Sequence, residues 1–442
     1  MKEWKAEFEK KLITAEEAAK LVKPGDRVSF TLGREAFSIG LAIAARIGEL
    51  RDVKVFQPFP GYDFGWYDAG WEEFFQISIL MPTAVSQQMI DERRGDIEVN
   101  DILCWSESTL CQSDVVITEV SPPDEKGFCS FGAALWNKRK HIKQGKLVLA
   151  EINDRLIRTF GDNFVHVSEI DYFVPHQESG GVASSGSLGG REKKEPAQYM
   201  KDITRHVSGL IGDGDTVQIG IGRVSERLVE LGLFDGRSDI GWYSEATPPG
   251  VIKLVREGVI NGRKKNFFPG KVIVTTLGGA TKDDMDWASN NPLFWLADVD
   301  FLWDVRNISA NDNMVAINQA LTVDLSGQVS AESIGHKIFS SAGGQTAFAY
   351  GALLSKDGRG ITVLPSTAKT RDGKLTSRIV PALEPGTAVT VPRNCVDHVV
   401  TEYGIARLRG KSLRHRCEEL IAVAHPDFRE ELRDSARRLY WP

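Results

Sequence analysis

The chain of 442 residues is too long for a single hydrophobic core, because one domain usually holds about 100–200 residues. A hydrophobic fraction of 42% and a charged fraction of 26% exclude a disordered chain. The formal net charge is −6, with no concentrated basic run and no long apolar segment. We therefore expect a cytoplasmic protein that binds neither nucleic acid nor membrane.

Short apolar runs alternate with helical patterns in the first half of the chain. The predicted strands are rich in Val, Ile or Phe and are bounded by Gly, Pro or charged turns: Arg27–Gly33, Val53–Phe59, Ile77–Met81, Asp114–Val120 and Lys146–Ile152. A helical pattern over Phe37–Leu50 separates the first two of them. This order of strand, helix and strand predicts a parallel sheet with helices packed on it.

A stretch without core-forming side chains interrupts this alternation. Ser179–Gly190 reads SGGVASSGSLGG and is followed by the charged sequence REKKEP. Because almost no side chain there can join a core, chain entropy favours a linker or a loop. We place the domain boundary near residue 190, with an N-terminal domain over 1–190 and a C-terminal domain over 191–442.

The alternation starts again in the second half. The predicted helices are Tyr199–Ile211, Ser225–Leu233 and Pro249–Glu257. The predicted strands are Thr216–Ile219, Ile240–Ser244, Lys271–Thr276, Met314–Val323, Gly360–Leu364, Ala388–Val391 and His398–Val400. The two halves together predict an α/β fold with two similar open domains, each built on a mainly parallel sheet.

A glycine-rich loop follows the first predicted strand of the second half. It reads Gly220-Ile221-Gly222-Arg223-Val224. Glycines let the backbone approach a ligand closely, and N–H groups at a helix start favour an anion. A dinucleotide fingerprint needs a third Gly or Ala where this chain has Ser225, which disfavours an NAD oxidoreductase. A tight turn without a ligand is the alternative.

Glu245 closes the next predicted strand, 25 residues after Gly220. Both loops then lie outside the carboxyl ends of strands, where open α/β sheets bind their ligands. A carboxylate there can attack an acyl thioester and form an anhydride, which a thiolate then reopens. The pattern fits equally well a glutamate that interacts with a helix N-terminus, so spacing alone leaves both interpretations open.

Other patterns narrow the chemistry. The eight histidines form no metal-binding pair and no GxSxG elbow is present, so we expect neither a metal site nor a serine hydrolase. Five cysteines without a CxxC pair predict reduced thiols. Gly343-Gly344-Gln345 and Gly373 offer backbone donors to an oxyanion, and Lys369 adds a cation, although each segment also fits a plain turn.

Several longer motifs together carry a family resemblance. In chain order they are SPPDEKGFCSFG at Ser121–Gly132, QIGIG at Gln218–Gly222, GGQTAF at Gly343–Phe348, LPSTAK at Leu364–Lys369, SRIVP at Ser377–Pro381, VTEYGIARLRGKSL at Val400–Leu413 and AHPDFR at Ala424–Arg429. With these motifs the chain resembles the acetyl-CoA hydrolase/transferase family of class I coenzyme A transferases, which includes 4-hydroxybutyrate, butyryl and succinyl CoA-transferases. The resemblance runs over nearly the whole length.

The resemblance implies roles for individual residues. Glu245 matches the nucleophilic glutamate of the family, and Gly220–Val224 matches its CoA-binding loop. The further residues that the resemblance places against CoA are Gly344, Gln345, Lys369 and Gly373. Ser330 falls where relatives carry a polar residue that stabilises or positions an oxyanion.

The implied reaction is a ping-pong transfer of coenzyme A from an acyl-CoA donor to a carboxylic acid acceptor, through a glutamyl-CoA thioester on Glu245. It requires no metal and no cofactor beyond coenzyme A as a substrate, and we expect a homo-oligomer. An acyl-CoA hydrolase that uses the same glutamate and a CoA-binding protein without turnover are the alternatives.

The residues next to the glutamate depart from the family pattern. Many relatives read His-Thr-Glu where this chain reads Tyr243-Ser244-Glu245, and the stretch Phe56–Phe75 is dense in aromatic residues. Together with Trp242 and Tyr243, that stretch predicts a pocket for a bulky, aromatic acyl group, as in a succinyl-CoA:benzoate transferase. The alternative is that these rings pack in the core and the pocket accepts acetate or butyrate.

Overall fold

The computed structural model describes residues 3–33, 36–99, 112–177, 195–370 and 372–441. The chain divides into two compact units. The first contains Met1–Glu192, Thr275–Leu277 and Thr281–Phe301, and the second contains Lys193–Val274, Gly278–Ala280 and Leu302–Pro442. The predicted linker Ser179–Gly190 lies outside the described residues, so the domain ranges 1–190 and 191–442 stay a prediction.

The α-helices and β-strands are numbered along the chain. The helices are α1 Glu3–Lys11, α2 Ala15–Lys20, α3 Phe37–Ala44, α4 Gln87–Asp91, α5 Lys138–Gln144, α6 Gln198–Ser208, α7 Val251–Arg256, α8 Lys282–Ala288, α9 Val299–Trp303, α10 Val305–Ser309, α11 Gln345–Leu354, α12 Leu413–Val423 and α13 Arg429–Tyr440. The strands are β1 Arg27–Phe30, β2 Val53–Phe56, β3 Phe75–Ile79, β4 Asp96–Ile97, β5 Val115–Val120, β6 Phe128–Ser130, β7 Leu147–Ile152, β8 Phe160–Gly161, β9 Phe164–His166, β10 Tyr172–Pro175, β11 Thr216–Ile219, β12 Gly241–Tyr243, β13 Val272–Val274, β14 Phe294–Leu296, β15 Met314–Gln319, β16 Thr322–Asp324, β17 Val329–Ser330, β18 Ser333–Ile334, β19 Lys337–Ile338, β20 Arg359–Val363, β21 Thr367–Lys369, β22 Leu375–Ser377, β23 Ile379–Val380, β24 His398–Thr401 and β25 Gly404–Arg407.

The first unit is built on a sheet with the strand order β10-β7-β5-β1-β2-β3-β4, in which every described pair is parallel. Strand β5 is buried along its whole length, as expected for a parallel strand covered on both faces. Phe30 of β1 and Phe75 of β3 pack in one core cluster with Ile39 and Ile43 of α3. Burial of each such side chain contributes about 1.5–3 kcal/mol.

The second unit is built on a sheet with the strand order β25-β24-β20-β15-β11-β12-β13. The described pairs are parallel, except that β24 and β25 pair antiparallel. Strands β15, β11 and β12 are neighbours, and Val217 of β11 is in register with Val315 and Trp242 on either side. Their carboxyl ends therefore lie side by side. These sheets confirm the predicted α/β fold with mainly parallel strands.

Three predicted elements differ from the structure. Ser225–Leu233 contains only the short 3-10 helix Ser225–Arg227, and Gly232 adopts a left-handed φ of 89° that no α-helix accommodates. Met314–Val323 contains two strands, because the chain leaves the main sheet after β15 and β16 pairs instead with β17 and β23. Ala388–Val391 forms only an isolated bridge to β17.

Three further observations bear on cofactors and location. None of the helices in the described part of the chain has the length and apolarity that a membrane span requires. Within the same ranges, no group of three or more His, Cys, Asp or Glu side chains is placed to hold a metal ion. Cys129, Cys395 and Cys417 are buried free thiols.

Candidate active site

Two loops that the sequence predicts to be functional leave the same edge of the sheet in the second unit. Gly220 follows β11 directly, and Glu245 follows β12 after Ser244. Because β11 and β12 are parallel neighbours, their carboxyl ends lie at one edge. Ser244 Oγ lies 3.3 Å from both the backbone N and the backbone O of Ile219, the last residue of β11. Direct contacts therefore join the base of the glycine loop to the residue that precedes Glu245.

Glu245 is only 9% exposed, and its carboxylate accepts two hydrogen bonds. The indole Nε1–H of Trp303 donates to Oε1, and the backbone N–H of Gly344 donates to the same carboxylate. Burial raises the pKa of Glu245 to about 7, while the two hydrogen bonds act to lower it. A desolvated carboxylate that ionises near neutral pH is suited to act as a nucleophile.

Gly344 stands at the N-terminus of α11, where the helix dipole favours an anion. A Cβ at this position would lie 2.5 Å from Glu245 Oε1 and would also collide with the indole of Trp303. Only glycine therefore lets the N–H group approach the carboxylate this closely. The structure places Gly344 against Glu245, while its predicted contact with CoA stays a prediction.

The Gly220–Val224 loop packs on the end of β15. The N–H of Gly222 donates to the carboxylate of Glu226 over 3.2 Å, and the N–H of Val224 donates to Gln319 Oε1 over 2.6 Å. A Cβ at Gly222 would lie 2.8 Å from Gln319 Oε1. Contacts inside the unit therefore require glycine at this position, and they already use two of the N–H donors of the loop.

The outward part of the loop consists of Ile221, which is 42% exposed, and Arg223, which is also exposed. Below the loop, the side-chain amides of Gln218 and Asn318 form two reciprocal hydrogen bonds of 3.0 Å. Asn318 Oδ1 occupies the space that a Cβ at Gly220 would need. The loop thus presents the side chains of Ile221 and Arg223 to solvent, whereas Gly220 packs on a buried amide pair.

The sequence analysis did not predict three residues of this arrangement: Trp303, Asn318 and Gln319. Asn318 and Gln319 are adjacent polar residues at the end of an otherwise apolar strand, and that pattern was a usable signal. Trp303 is 58 residues from Glu245 in the chain, and no local pattern marks it.

The other predicted site residues are not hydrogen-bonded to Glu245 within the described residues. Gln345 is buried, and its Nε2 has no hydrogen-bond partner there. Ser330 is buried as well, and its Oγ donates to a backbone carbonyl over 2.9 Å. Lys369 lies on the hairpin of β21 and β22, and Gly373 forms its turn with a φ of 83°. The catalytic or CoA-binding roles of these four residues stay predictions.

Comparison with known proteins identifies the family. Residues 97–182 match the acetyl-CoA hydrolase/transferase N-terminal domain, and residues 281–436 match the C-terminal domain of the same family. The chain is 37% identical over 445 residues to the 4-hydroxybutyrate coenzyme A transferase of Clostridium kluyveri, with 99% of this chain and 100% of that protein covered. The chain belongs to the acetyl-CoA hydrolase/transferase family.

Other relatives of this acetyl-CoA hydrolase/transferase match over their full length as well. The succinyl-CoA:cyclohexane-1-carboxylate CoA transferase of Geobacter metallireducens is 33% identical over 446 residues, covering 99% of this chain and 97% of that protein. The crystal structure of RipA from Yersinia pestis has a TM-score of 0.88 at 26% identity, covering 99% of this chain and 100% of that one. The family predicted from the motifs is confirmed, and the protein is an enzyme that transfers coenzyme A.

The sequence predicts a pocket for a bulky acyl group from a set of aromatic residues. Most of these residues lie in the hydrophobic cores. Trp242 and Tyr243 are fully buried. Within Phe56–Phe75, Phe64 and Trp66 lie in the core cluster of the first unit, with ring centroids 4.7 Å apart. This placement supports the alternative that these rings stabilise the fold and do not line the acyl pocket.

Proposed function

We propose that this enzyme moves coenzyme A between an acyl-CoA and a carboxylic acid by a ping-pong reaction with a covalent thioester on Glu245. One observation carries the proposal: a buried carboxylate at the carboxyl edge of a parallel sheet, with two N–H donors on its oxygens. Burial removes the hydration shell that would otherwise stabilise the anion, and the donors keep the group orientated. Coenzyme A is proposed as a substrate, and no resident cofactor is invoked.

Two covalent steps form the glutamyl-CoA thioester, and two further steps consume it. A Glu245 oxygen attacks the thioester carbonyl carbon, the carbon–sulfur bond breaks, and coenzyme A leaves as a thiolate, which gives an acyl-glutamyl anhydride. The thiolate then attacks the glutamyl carbonyl carbon and expels the donor acid as its carboxylate, which leaves glutamyl-CoA. In the second half, the carboxylate of the acceptor acid attacks the glutamyl thioester and releases the CoA thiolate, which gives a new anhydride. The thiolate then attacks the acyl carbon of this anhydride, so that the new acyl-CoA leaves and the Glu245 carboxylate is regenerated.

Trp303 and Gly344 are proposed to stabilise the oxyanion that forms on the glutamyl group. When the thiolate adds to the carbonyl carbon of Glu245, negative charge develops on an oxygen of the group that already accepts both N–H donors in the free enzyme. Donors that are in place beforehand need no reorganisation during the reaction. Ser330 is a weaker candidate for oxyanion stabilisation, because its hydroxyl already donates a hydrogen bond to a backbone carbonyl.

Covalent labelling of Glu245 tests the proposal. Incubation with acyl-CoA, followed by borohydride treatment or by digestion and mass spectrometry, should modify the peptide that contains Glu245. Glu245→Ala and Glu245→Gln should lose several orders of magnitude in turnover, while Glu257→Gln, on an exposed glutamate of the same unit, should retain it. Modification elsewhere would refute the mechanism. Wild-type activity in Glu245→Ala would show that the transfer does not use Glu245.

An acyl-CoA hydrolase with the same glutamate is a second candidate, because the family description names both activities. In a hydrolase, water would open the glutamyl thioester in place of an acceptor acid. The low exposure of Glu245 favours transfer, because a buried thioester is shielded from water. Release of free coenzyme A at the same rate with and without acceptor acid would favour the hydrolase.

For the acyl group we propose a short-chain carboxylate, since the aromatic rings considered above are buried in the cores. A bulky cyclic or aromatic acid is the second candidate, favoured by the cyclohexane-1-carboxylate named for the relative from Geobacter metallireducens. The homo-oligomer and the cytoplasmic location stay predictions.

A further inference from the structure

Lys265 is a buried lysine next to the strand that leads to Glu245. It is 4% exposed, although it follows the exposed Arg263 and Lys264. Its Nζ donates to the carbonyl oxygen of Trp242 on β12 over 3.0 Å and to the carbonyl oxygen of Lys271 over 3.1 Å. Lys271 directly precedes β13, so one ammonium group binds the backbone of two neighbouring strands.

The backbone leaves room for this side chain at two glycines. A Cβ at Gly241 would lie 2.6 Å from Lys265 Cγ, and a Cβ at Gly262 would lie 3.3 Å from Lys265 Cδ. The ring of Tyr243 adds a cation–π contact, with its centroid 5.9 Å from Nζ. The aliphatic stem and the ammonium group therefore occupy a channel fitted to a lysine.

This burial is costly for the charged form. It lowers the pKa of Lys265 to about 7, and no carboxylate in the described part of the chain offsets this effect. An apolar side chain of similar length would fill the channel without that cost. The two hydrogen bonds to strand carbonyls are what lysine adds.

We infer that Lys265 is a positioning residue for the nucleophile, an inference that rests on the proposed function of Glu245. Strand β12 comprises only Gly241–Tyr243, so few backbone hydrogen bonds to the neighbouring strands fix its position along the strand direction. By binding the Trp242 carbonyl and the carbonyl before β13, Lys265 holds β12 where Glu245 reaches its two N–H donors. A displacement of about 1 Å at a reacting group can cost on the order of a hundredfold in rate.

The first test replaces Lys265 by an isosteric apolar residue. Lys265→Met should lower kcat by about tenfold to a hundredfold, with KM for acyl-CoA unchanged within about twofold. The acid limb of its pH–rate profile should move to higher pH, because a displaced carboxylate loses its donors. Lys264→Met is the matched control: Lys264 is exposed and pairs with Asp239 over 3.3 Å, so kcat and the pH profile should stay at wild-type values. A folded Lys265→Met enzyme with wild-type kcat and pH profile overturns the inference.

A second variant covers the case in which Lys265→Met does not fold. Lys265→Ala leaves a channel that n-propylamine can enter, so the amine should restore part of kcat, whereas n-propanol of similar size should not. Equal recovery with the two additives would mean that Lys265 only fills space, and no recovery with n-propylamine would also overturn the inference.

The single-turnover rate of thioester formation separates this inference from the proposed function. If the wild-type enzyme forms no thioester on Glu245, the proposed function fails regardless of Lys265. If the wild type forms it and Lys265→Met forms it at the same rate, only the positioning role fails.

Discussion

At the scale of single residues, opposing effects set the protonation of Glu245. Desolvation raises its pKa, and the hydrogen bonds from Trp303 and Gly344 act in the opposite direction. Burial is the largest of these effects, so the carboxyl titrates at about pH 7 and not near pH 4.5. The proposed nucleophile is therefore partly protonated at the lower end of the physiological pH range.

The pH dependence of turnover follows from this titration. In the proposed mechanism only the ionised carboxylate attacks, so kcat/KM for acyl-CoA should be constant well above pH 7 and should fall about tenfold per pH unit well below it. The measurement is a pH–rate profile at subsaturating acyl-CoA, with enzyme stability checked at each pH. A profile that stays flat down to pH 5 would contradict the elevated pKa of Glu245.

Trp303→Phe removes one donor and preserves the aromatic ring. The hydrogen bond favours the ionised form, so its loss should raise the pKa of Glu245 further and move the acid limb to higher pH. At the pH of the wild-type plateau, kcat should fall about tenfold or more, since a hydrogen bond to a charged group is worth about 1.5–3 kcal/mol. Trp441→Phe, far along the chain in the same unit, serves as the control and should leave the profile unchanged. An unshifted acid limb in Trp303→Phe would show that the indole does not act on the carboxylate.

At the scale of elements, the strands were the most predictable part of this chain. Runs such as Val115–Val120 are apolar on both faces, and that pattern is typical of strands in a covered parallel sheet. The helix predicted over Ser225–Leu233 was wrong for a reason that periodicity cannot reveal. Side-chain hydrogen bonds determine the conformation at its start. Ser225 Oγ donates to the carbonyl oxygen of Gly220, and Gln319 Oε1 accepts from the N–H of Val224.

The glycine loop needs a test that separates internal packing from CoA binding. Gly222→Val would collide with Gln319 and Ser225 inside the unit, so a loss of activity in that variant would not by itself report on CoA. Ile221→Asp is more informative, because Ile221 is exposed. A carboxylate there should repel the phosphates of CoA and raise KM for acyl-CoA about tenfold, with Tm and kcat near wild type.

Leu439→Asp provides the control for this loop variant. Leu439 is an exposed apolar residue of α13 in the same unit, so its substitution introduces the same charge on an element that contributes no residue to the loop or to the candidate active site. KM for acyl-CoA should stay at the wild-type value in this variant. If Ile221→Asp also leaves KM unchanged, Gly220–Val224 is a structural turn and the CoA site lies elsewhere.

At the scale of the whole molecule, the sequence was sufficient for the fold class, for many of the strands and for the position of Glu245 after β12. It was not sufficient for the partners of Glu245, because these come from distant parts of the chain: Trp303 from the end of α9 and Gly344 from the start of α11. Such contacts depend on how the sheet orders its strands, which no local periodicity encodes. The aromatic residues illustrate the same limit, since composition alone cannot distinguish a ring in a core from one in a pocket.

Acyl selectivity distinguishes these two uses of the aromatic residues. Each aromatic contact with a flat acyl group would contribute about 0.5–1.5 kcal/mol, so two free rings would favour benzoyl-CoA over butyryl-CoA by roughly tenfold to a hundredfold. Trp242, Tyr243, Phe64 and Trp66 are buried, and the last two pack on each other. We therefore expect a larger kcat/KM for butyryl-CoA than for benzoyl-CoA with the same acceptor acid.

The comparison is run with acetate, succinate and benzoate as acceptors, so that a slow acceptor step does not mask the preference for the donor. Tyr62 is the informative variant, because its ring is only partly buried and packs on Phe37 with centroids 4.6 Å apart. If butyryl-CoA is preferred, Tyr62→Leu should leave the ratio of the two specificity constants within about twofold. A preference of tenfold or more for benzoyl-CoA that Tyr62→Leu abolishes would contradict this expectation and would show that Tyr62 contributes to acyl selectivity.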